Sequence, residues 1–302
     1  MGKLLQGFPE DPALGEALEG LLKNRIRVTY SGRDEPARLG ESKFGGRPHL
    51  PADFAWPWYH GEKLAYDGKR FAKTAADCPL AFLLQIDLGE TAPLDRDGLL
   101  PKSGLLSFFY ELDSQPWGYS PAHRGGARVY WFPAGTALAE TDLPEELEED
   151  FRLPELALAF EAAPCLPHWD DLEALAPEVS ERLGDDYDRY EELKKERGTA
   201  GEYASHLLGY PDVIQNPMGP ECERVARGYD CGMGPLSLSP EEEAEIAAAA
   251  GEWTLLFQMG TVDGGADFEL MFGDCGCLYF WMRKKDLAER AFHKAWALLQ
   301  CG

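Results

Sequence analysis

Positive charge is scarce in this sequence. Its 302 residues include 29 Lys and Arg against 53 Asp and Glu, which gives a formal net charge of −24 at pH 7. A surface of that sign repels phosphate backbones and anionic lipid head groups, so we expect neither nucleic-acid binding nor membrane binding. A basic protein partner would instead be attracted.

Long apolar runs and targeting signals are also lacking. No apolar run reaches the ~20 residues that span a bilayer, and residues 1–6 lack the apolar stretch of a secretory signal. The seven cysteines are odd in number and scattered. We therefore expect a reducing, cytoplasmic location, with most cysteines serving as small core residues. Their spacing fits no zinc ribbon, so we predict no metal site and no cofactor.

Motifs of catalysis are missing as well. The chain contains no Gly-x-Ser-x-Gly elbow, no His-Glu-x-x-His pair and no phosphate-binding loop, and its six histidines are dispersed. We therefore favour a non-enzymatic protein and assign no catalytic residue.

The sequence does contain the composition of a strand-rich core. Hydrophobic residues make up 44% of the chain, and 32 Gly and 22 Pro favour short strands joined by turns. We predict one compact domain over residues 1–302 with an α+β fold, mostly antiparallel sheets and peripheral helices. Helix starts are indicated at Asp11-Pro12 and at Ser239-Pro240, and a C-terminal helix is expected over about 286–300.

An internal repeat is the most informative pattern. Each copy has a Gly-x-Pro loop, then an apolar strand with a central Gln, then an aromatic strand that starts at Gly. The same order in both halves predicts a duplicated unit. The elements are residues 46–48, 82–87 and 104–110 in the first copy and residues 209–211, 255–260 and 276–282 in the second. We place the copies at about 40–135 and 204–285, with an insertion-like segment at about 136–203 between them.

Acidic residues are concentrated in that middle segment. Residues 140–192 hold nineteen Asp or Glu and three Arg. One interpretation is a solvated face of the domain. The other is a docking surface for a basic protein.

Gln85 and Gln258 are polar residues inside apolar strands. A buried amide needs hydrogen-bond partners, or it costs ~1–3 kcal/mol. Either each Gln holds a backbone loop such as its own Gly-x-Pro segment, or both amides face a shared cleft and bind a polar ligand.

Further candidate ligand-binding residues accompany these glutamines. Carboxylates in turns or at strand ends permit acid–base or polar contacts, and an Arg in a Gly-x-Pro loop could pair with them or with an anion. Aromatic residues in loops, among them Trp117 and Tyr119, suit either a lid over the core or a stacking surface. The full candidate set is Arg47, Trp56, Gln85, Asp87, His206, Asp212, Gln258 and Asp274.

Four ordered motifs resemble the YwqG-like proteins, a bacterial family with a domain of unknown function. They are residues 42–51 with Trp56-Pro57, residues 82–87, residues 207–212 with Gln215, and residues 273–276. The resemblance spans roughly residues 40–300 and implies an α+β fold. It transfers no catalytic residue, and it implies an immunity or interaction role, since some members lie near toxin genes.

Three functional hypotheses follow, of which the last is a purely structural module that serves a larger assembly. The first is a non-enzymatic binding protein, immunity-type in one form, that acts on a protein partner through its acidic surface. The second is a small-molecule binder or enzyme with a polar site between the two repeats.

Overall fold

A ten-stranded antiparallel sheet dominates the computed structural model of the protein, which describes residues 11–66, 68–69, 71–201, 203–234, 236–265 and 268–302. The strands are β1 Lys23–Ser31, β2 Lys43–Phe44, β3 His49–Pro51, β4 Trp58–Tyr66, β5 Phe71–Pro79, β6 Ala81–Asp87, β7 Leu105–Tyr110, β8 Ala127–Phe132, β9 Leu138–Glu140, β10 Leu156–Cys165, β11 His206–Leu207, β12 Trp253–Met259, β13 Val262–Asp263, β14 Glu269–Leu270, β15 Cys277–Arg283 and β16 Trp296–Gln300. The helices are α1 Pro12–Leu21, α2 Leu88–Thr91, α3 Trp169–Leu175, α4 Pro177–Leu183, α5 Tyr187–Glu196, α6 Met218–Ala226, α7 Pro240–Ala250 and α8 Lys284–Ala288. Helices and an antiparallel sheet together agree with the predicted α+β class.

The order of strands is the same on both sides of a central pair. β1 pairs with β10 at the middle of the sheet. Outward from β10 run β2, β6, β7 and β8, and outward from β1 run β11, β12, β15 and β16. We call β10 with its four outer strands the first half and β1 with its four outer strands the second half. Strand β10 lies inside the segment predicted to be insertion-like, so that segment supplies part of the sheet's centre.

The two halves share one interior. Every residue of β7 is buried, as are six of the seven residues of β6 and of β15, which accounts for their continuous apolar sequence. The ring of Phe108 lies 5.0 Å from that of Phe257 and 5.1 Å from that of Phe280. The sheet therefore curls until strands from opposite halves pack face to face.

Two smaller layers cover the outer faces of the sheet. The β4–β5 hairpin covers the first half around Tyr59 and Phe109, and α6 packs on the second half beside Tyr279. Helices α1, α3, α4 and α5 form a third apolar cluster with one another.

Helix starts were predictable from their capping residues. Asp11 accepts a hydrogen bond from the backbone N–H of Leu14 at 3.0 Å and begins α1. At α7 the Ser239 hydroxyl and the Glu242 carboxylate bond reciprocally to each other's backbone N–H groups. Both predicted starts are confirmed.

The predicted helix over residues 286–300 is wrong. A short helix ends at Ala288, Arg290 adopts a positive φ of 59°, and the chain then forms strand β16 beside β15. The apolar residues near the C-terminus suit a helix locally, but pairing with β15 decides the outcome. In β16, Leu299 faces the shared interior while Leu298 packs in the cluster around α6.

Candidate functional site

Gln85 holds the first Gly-x-Pro loop. Its side chain is fully buried, its Oε1 accepts from the backbone N–H of His49 at 2.9 Å, and its Nε2 donates to the carbonyl of Glu41 at 2.7 Å. Both ends of the amide are satisfied by the chain around its own loop, as one of the two interpretations expects.

Gln258 makes the corresponding contacts in the second half. Its Oε1 accepts from the N–H of Asp212 at 2.8 Å, and its Nε2 donates to the carbonyl of Ala204 and to Asp212 Oδ2, each at 3.0 Å. In both halves the bonded N–H belongs to the residue that follows the loop proline. Neither glutamine lines the two large cavities described below, and a ligand role for them stays a prediction.

His206 and Asp212 join Gln258 in one buried cluster with Arg25. Arg25 Nη1 lies 3.7 Å from Asp212 Oδ1, and His206 Nδ1 lies 2.9 Å from the carbonyl oxygen of Leu208. Burial lowers the pKa of His206 below its ordinary value, so the ring is neutral at pH 7. The structure thus brings three of the predicted residues together around a backbone turn.

A comparable buried cluster lies at the matching place in the first half. Lys43 is fully buried, and its Nζ donates to Glu155 Oε2 and to the carbonyl of Arg47, each at 2.7 Å. Burial, aided by the charge of Lys43, lowers the pKa of His49 to about 4. Lys43 thus pairs with Glu155 and fixes the loop through the Arg47 carbonyl.

Arg47 itself points to the surface. Its guanidinium pairs with Glu140 and with Asp142, the second at 2.8 Å. Exposed pairs of this kind contribute little to stability, roughly 0–1 kcal/mol.

The remaining predicted residues are dispersed. Trp56 donates from Nε1 to the carbonyl of Leu80 at 2.9 Å and covers the core beneath the hairpin. Asp87 accepts from the N–H of Gly89 at 2.9 Å and begins α2. Asp274 is exposed in the turn before β15. These three and Arg47 do not converge on one site.

A groove between the halves is a candidate site. It encloses about 590 Å³ and is lined by part of β4, the loop 114–123 that follows β7, and two second-half segments at 215–216 and 230–232. This volume lies within the range of roughly 300–1,000 Å³ typical of small-molecule sites. We call it the interhalf groove.

The loop 114–123 is bonded across the second half. The carbonyl of Trp117 accepts from the N–H of Leu299 at 3.0 Å, and the carbonyl of Tyr119 accepts from the N–H of Cys231 at 2.7 Å. Gly118 has a φ of 82°, and a Cβ there would lie 1.8 Å from the carbonyl oxygen of Ala297. Only glycine permits this close approach.

Gln115 fixes the start of the loop in a strained conformation. Its φ of 45° is unusual for a residue with a side chain. Its Oε1 accepts from the N–H of Gly273 at 2.9 Å, and its Nε2 donates to the carbonyl of Met271 at 3.2 Å. Strain of this kind concentrates at binding sites, where surrounding contacts hold it in place.

Gln300 supports the opposite wall, and the sequence analysis missed it. Its fully buried Oε1 accepts from the N–H groups of Ile214 at 3.0 Å and Gln215 at 3.1 Å. Its Nε2 donates to the carbonyl of Asn216 at 2.8 Å and to the hydroxyl of Tyr119 at 3.1 Å. A polar glutamine beside apolar residues of a strand also pointed to Gln85. Gln300 was not recognised in the same way, because residues 286–300 were predicted to be a helix.

The groove combines an exposed aromatic face with polar groups. Trp117 is 49% exposed, although it is a large apolar side chain. Asp230 accepts from the Ser120 hydroxyl at 3.0 Å. Burial raises the pKa of Tyr119 to about 12, and burial together with the Glu221 carboxylate raises the pKa of Cys231 to about 12.

Two titratable groups of the groove keep their protons at neutral pH. At pH 7 the phenol of Tyr119 and the thiol of Cys231 stay protonated, which leaves the thiol a poor nucleophile.

Among the residues that the structure describes, no group of three or more His, Cys, Asp or Glu could hold a metal ion. Within the same ranges, no helix combines the length and apolarity needed to cross a bilayer.

Fold and groove together define an α+β protein with a curled antiparallel sheet and a cleft between the sheet's two halves. Its sequence places it in a family. A family model described as a domain of unknown function, DUF1963, matches residues 42–301, and the chain belongs to that family. The match is consistent with the resemblance to YwqG-like proteins over about the same residues. No curated protein matches the sequence significantly.

Proposed function

We propose that this protein binds a small organic ligand in the interhalf groove without transforming it. The carrying observation is the groove itself, whose volume of about 590 Å³ is enclosed by loops from both halves. The ligand has a flat apolar part that stacks on Trp117 and a polar part that reaches Asn216 and Asp230. The second hypothesis from the sequence, a site between the repeats, is thereby kept with a different set of residues.

The indole of Trp117 and the side-chain amide of Asn216 are both available for a ligand. Folding gains little from an indole left 49% exposed, whereas stacking on it contributes about 0.5–1.5 kcal/mol beyond the area buried. Asn216 is exposed, and its side-chain amide makes no hydrogen bond with the residues described here, while its carbonyl is held by Gln300. A positioned but unengaged amide supplies specificity for a polar group.

The direct test is a ligand screen by thermal shift on the full chain, followed by calorimetric titration of the hits. Ligands of the folded state raise the melting temperature. Trp117→Ala should weaken hits about tenfold, as expected for a contact worth ~1.4 kcal/mol, and Trp117→Phe should restore part of the affinity. Leu39→Ala, which truncates an exposed residue outside the groove lining, is the control. Hits that bind Trp117→Ala as tightly as the wild type would place the site elsewhere.

We also infer that the two halves are copies of one unit within a single domain. The inference is supported by matching register, with Lys43 opposite Gln85 and His206 opposite Gln258. A bulge falls between Phe82 and Leu84 in one half and between Leu255 and Phe257 in the other. A groove between two copies is a common place for a ligand, since both copies contribute to its walls.

Docking of a basic protein is a second candidate function. It corresponds to the immunity-type role that the resemblance to YwqG-like proteins implies. The observation that favours it lies on α3–α5, where Leu175 and Tyr187 are each 46% exposed. The same segment carries the exposed carboxylates of Asp170, Glu173, Glu178, Glu181, Asp185 and Asp188, of which Asp170 and Asp188 lie close enough to Tyr187 to act on its hydroxyl electrostatically. Apolar anchors within a charged rim are typical of protein interfaces. The cytoplasmic location and the absence of catalysis remain parts of this proposal.

Affinity purification at low and high salt tests that candidate. A basic partner should be retained at low salt and released at high salt. The double variant Glu173→Lys, Glu181→Lys should lose it, whereas Glu241→Lys on α7 should retain it. Equal retention by both variants would exclude the α3–α5 surface.

A further inference from the structure

A second cavity of about 620 Å³ lies beside α8 and shares no residue with the interhalf groove. Its walls are the start of β1 at 22–23, the loop 97–101, and residues 284–290 at α8, closed by Gly209 and Thr254. The first of these segments begins the central strand β1, the second follows α2 in the first half, and the third follows β15. We call it the basic cavity because three cationic residues, Lys23, Lys284 and Arg290, line it.

These three cations carry no counter-charge of their own. Lys23 Nζ lies 4.0 Å from the centre of the Tyr210 ring, and Arg290 Cζ lies 5.2 Å from the centre of the Trp131 ring. Within the described ranges, none of the three makes an ion pair with a carboxylate. Acidic residues outnumber basic ones by 53 to 29 in this chain, so three unpaired cations around one cavity stand out.

One acidic residue lines the cavity beside three cationic ones, so the net charge of its lining is positive. Asp97 lines the cavity, where its Oδ2 accepts from the N–H of Asn24 at 3.4 Å. Asp97 and Asp171 act on Lys23 through space only. Although the Lys23 side chain is exposed as a whole, burial around its ammonium lowers its pKa, and the charge of Lys284 lowers it further. An anion placed between the two ammonium groups would relieve that repulsion.

Leucines supply much of the remaining wall. Leu22, Leu99, Leu100 and Leu287 line the cavity, and Leu287 belongs to the shared core. The four leucines offer no hydrogen bonds to an inorganic ion, but they suit a hydrocarbon chain or ring. Charge at one side and apolar surface at the other match an amphipathic ligand.

We propose that the basic cavity binds an organic anion, in which a phosphate or carboxylate head group contacts Lys23, Lys284 and Arg290 and an apolar body lies against the leucines. This site is independent of the interhalf groove. Either head group satisfies the three cations, because both present several acceptor oxygens to ammonium and guanidinium donors. The length of the apolar body is limited by the cavity volume.

The test is calorimetric titration of the full chain at low ionic strength with octyl phosphate, octanoate and inorganic phosphate. We expect the octyl probes to bind and inorganic phosphate to bind at least about tenfold more weakly, since each buried methylene adds to affinity. The better of the two octyl probes identifies the head group. Equal affinity for inorganic phosphate and octyl phosphate would overturn the assignment of an apolar body.

Variants of matched charge locate the site. Lys284→Gln and Lys23→Gln should each weaken the octyl probes about tenfold or more, as expected for a hydrogen bond to a charged group. Lys285→Gln is the control, since this substitution removes the same charge one residue away. Lys285 lines no part of the cavity, and its Nζ lies 3.9 Å from Glu289 Oε1. Lys284→Gln changes an exposed residue, so it remains informative if Lys23→Gln fails to fold.

The outcomes separate this site from general attraction and from the groove. An equal loss of affinity for the octyl probes in Lys284→Gln and Lys285→Gln would mean that the probes are attracted by the general positive charge of this surface, and would overturn the proposal. A loss in Trp117→Ala would place the probe in the interhalf groove and also overturn it. Retention in Trp117→Ala with loss in Lys284→Gln supports the basic cavity, whether or not the groove proves to bind a ligand.

Discussion

Replacing Gln300 with leucine would remove the four hydrogen bonds by which a buried amide holds the second-half wall of the interhalf groove. Each such bond contributes about 1 kcal/mol net, and a buried partner left unsatisfied costs about 1–3 kcal/mol. Water can reach part of the segment 214–216, and leucine adds apolar burial, which offsets some of the loss. We expect the free energy of unfolding to fall by about 2–4 kcal/mol.

Urea unfolding measured by far-ultraviolet circular dichroism tests this magnitude, because a loss of stability moves the midpoint while the slope stays constant. Gln215→Leu is the matched control. Gln215 is exposed, and its side chain makes one bond, to the carbonyl of Cys301 at 2.9 Å, so we expect a change under about 1 kcal/mol. A Gln300→Leu protein within about 0.5 kcal/mol of the wild type would refute the role given to this amide.

Three further outcomes are expected. Gly118→Ala should destabilise the protein by more than about 2 kcal/mol, roughly the cost of overpacking a core, because its Cβ would meet the β16 backbone. The control is Gly135→Ala, at a φ of 87° with open space around it, which measures the cost of the backbone conformation alone. Equal losses of stability in the two variants, measured by urea unfolding, would contradict the clash. Ser239→Ala should cost about 1 kcal/mol by removing a helix cap, and an unchanged melting temperature would argue against the cap. His49 has a folded-state pKa of about 4 against an ordinary 6.5, so the unfolded chain takes up a proton first and the free energy of unfolding should fall as the pH drops from about 6.5 towards 4. His49→Gln should reduce the dependence of the free energy of unfolding on pH in this range, as measured by urea unfolding at several pH values. An unaltered dependence would contradict the assignment.

The strands of the sheet's interior could be predicted because their signal is local. Strands β6, β7, β12 and β15 are continuous apolar runs bounded by turn residues, and Gln85 and Gln258 were recognisable as amides that need partners. The caps at Asp11 and Ser239 depend on neighbouring residues, so they too can be identified from sequence.

The rest depends on contacts between distant residues. Nothing in residues 296–300 distinguishes a strand from a helix until β15 lies beside them, and the role of Gln300 was lost with that error. Trp117 was recognised as a loop aromatic, but its neighbours at 215–216 and 230–232 lie about a hundred residues further along the chain. The basic cavity joins Lys23 to Lys284, and no sequence pattern connects the two.

The central strand pair has a consequence for the order in which the protein assembles during synthesis. Strand β1 leaves the ribosome before both of its neighbours, β10 and β11, and Ile26 pairs with Leu207. Until those later segments emerge, β1 has no place in the sheet and its apolar side chains stay in water. Closing such long loops is slow, so we expect β1 to enter the sheet only after β10 and β11 have been made.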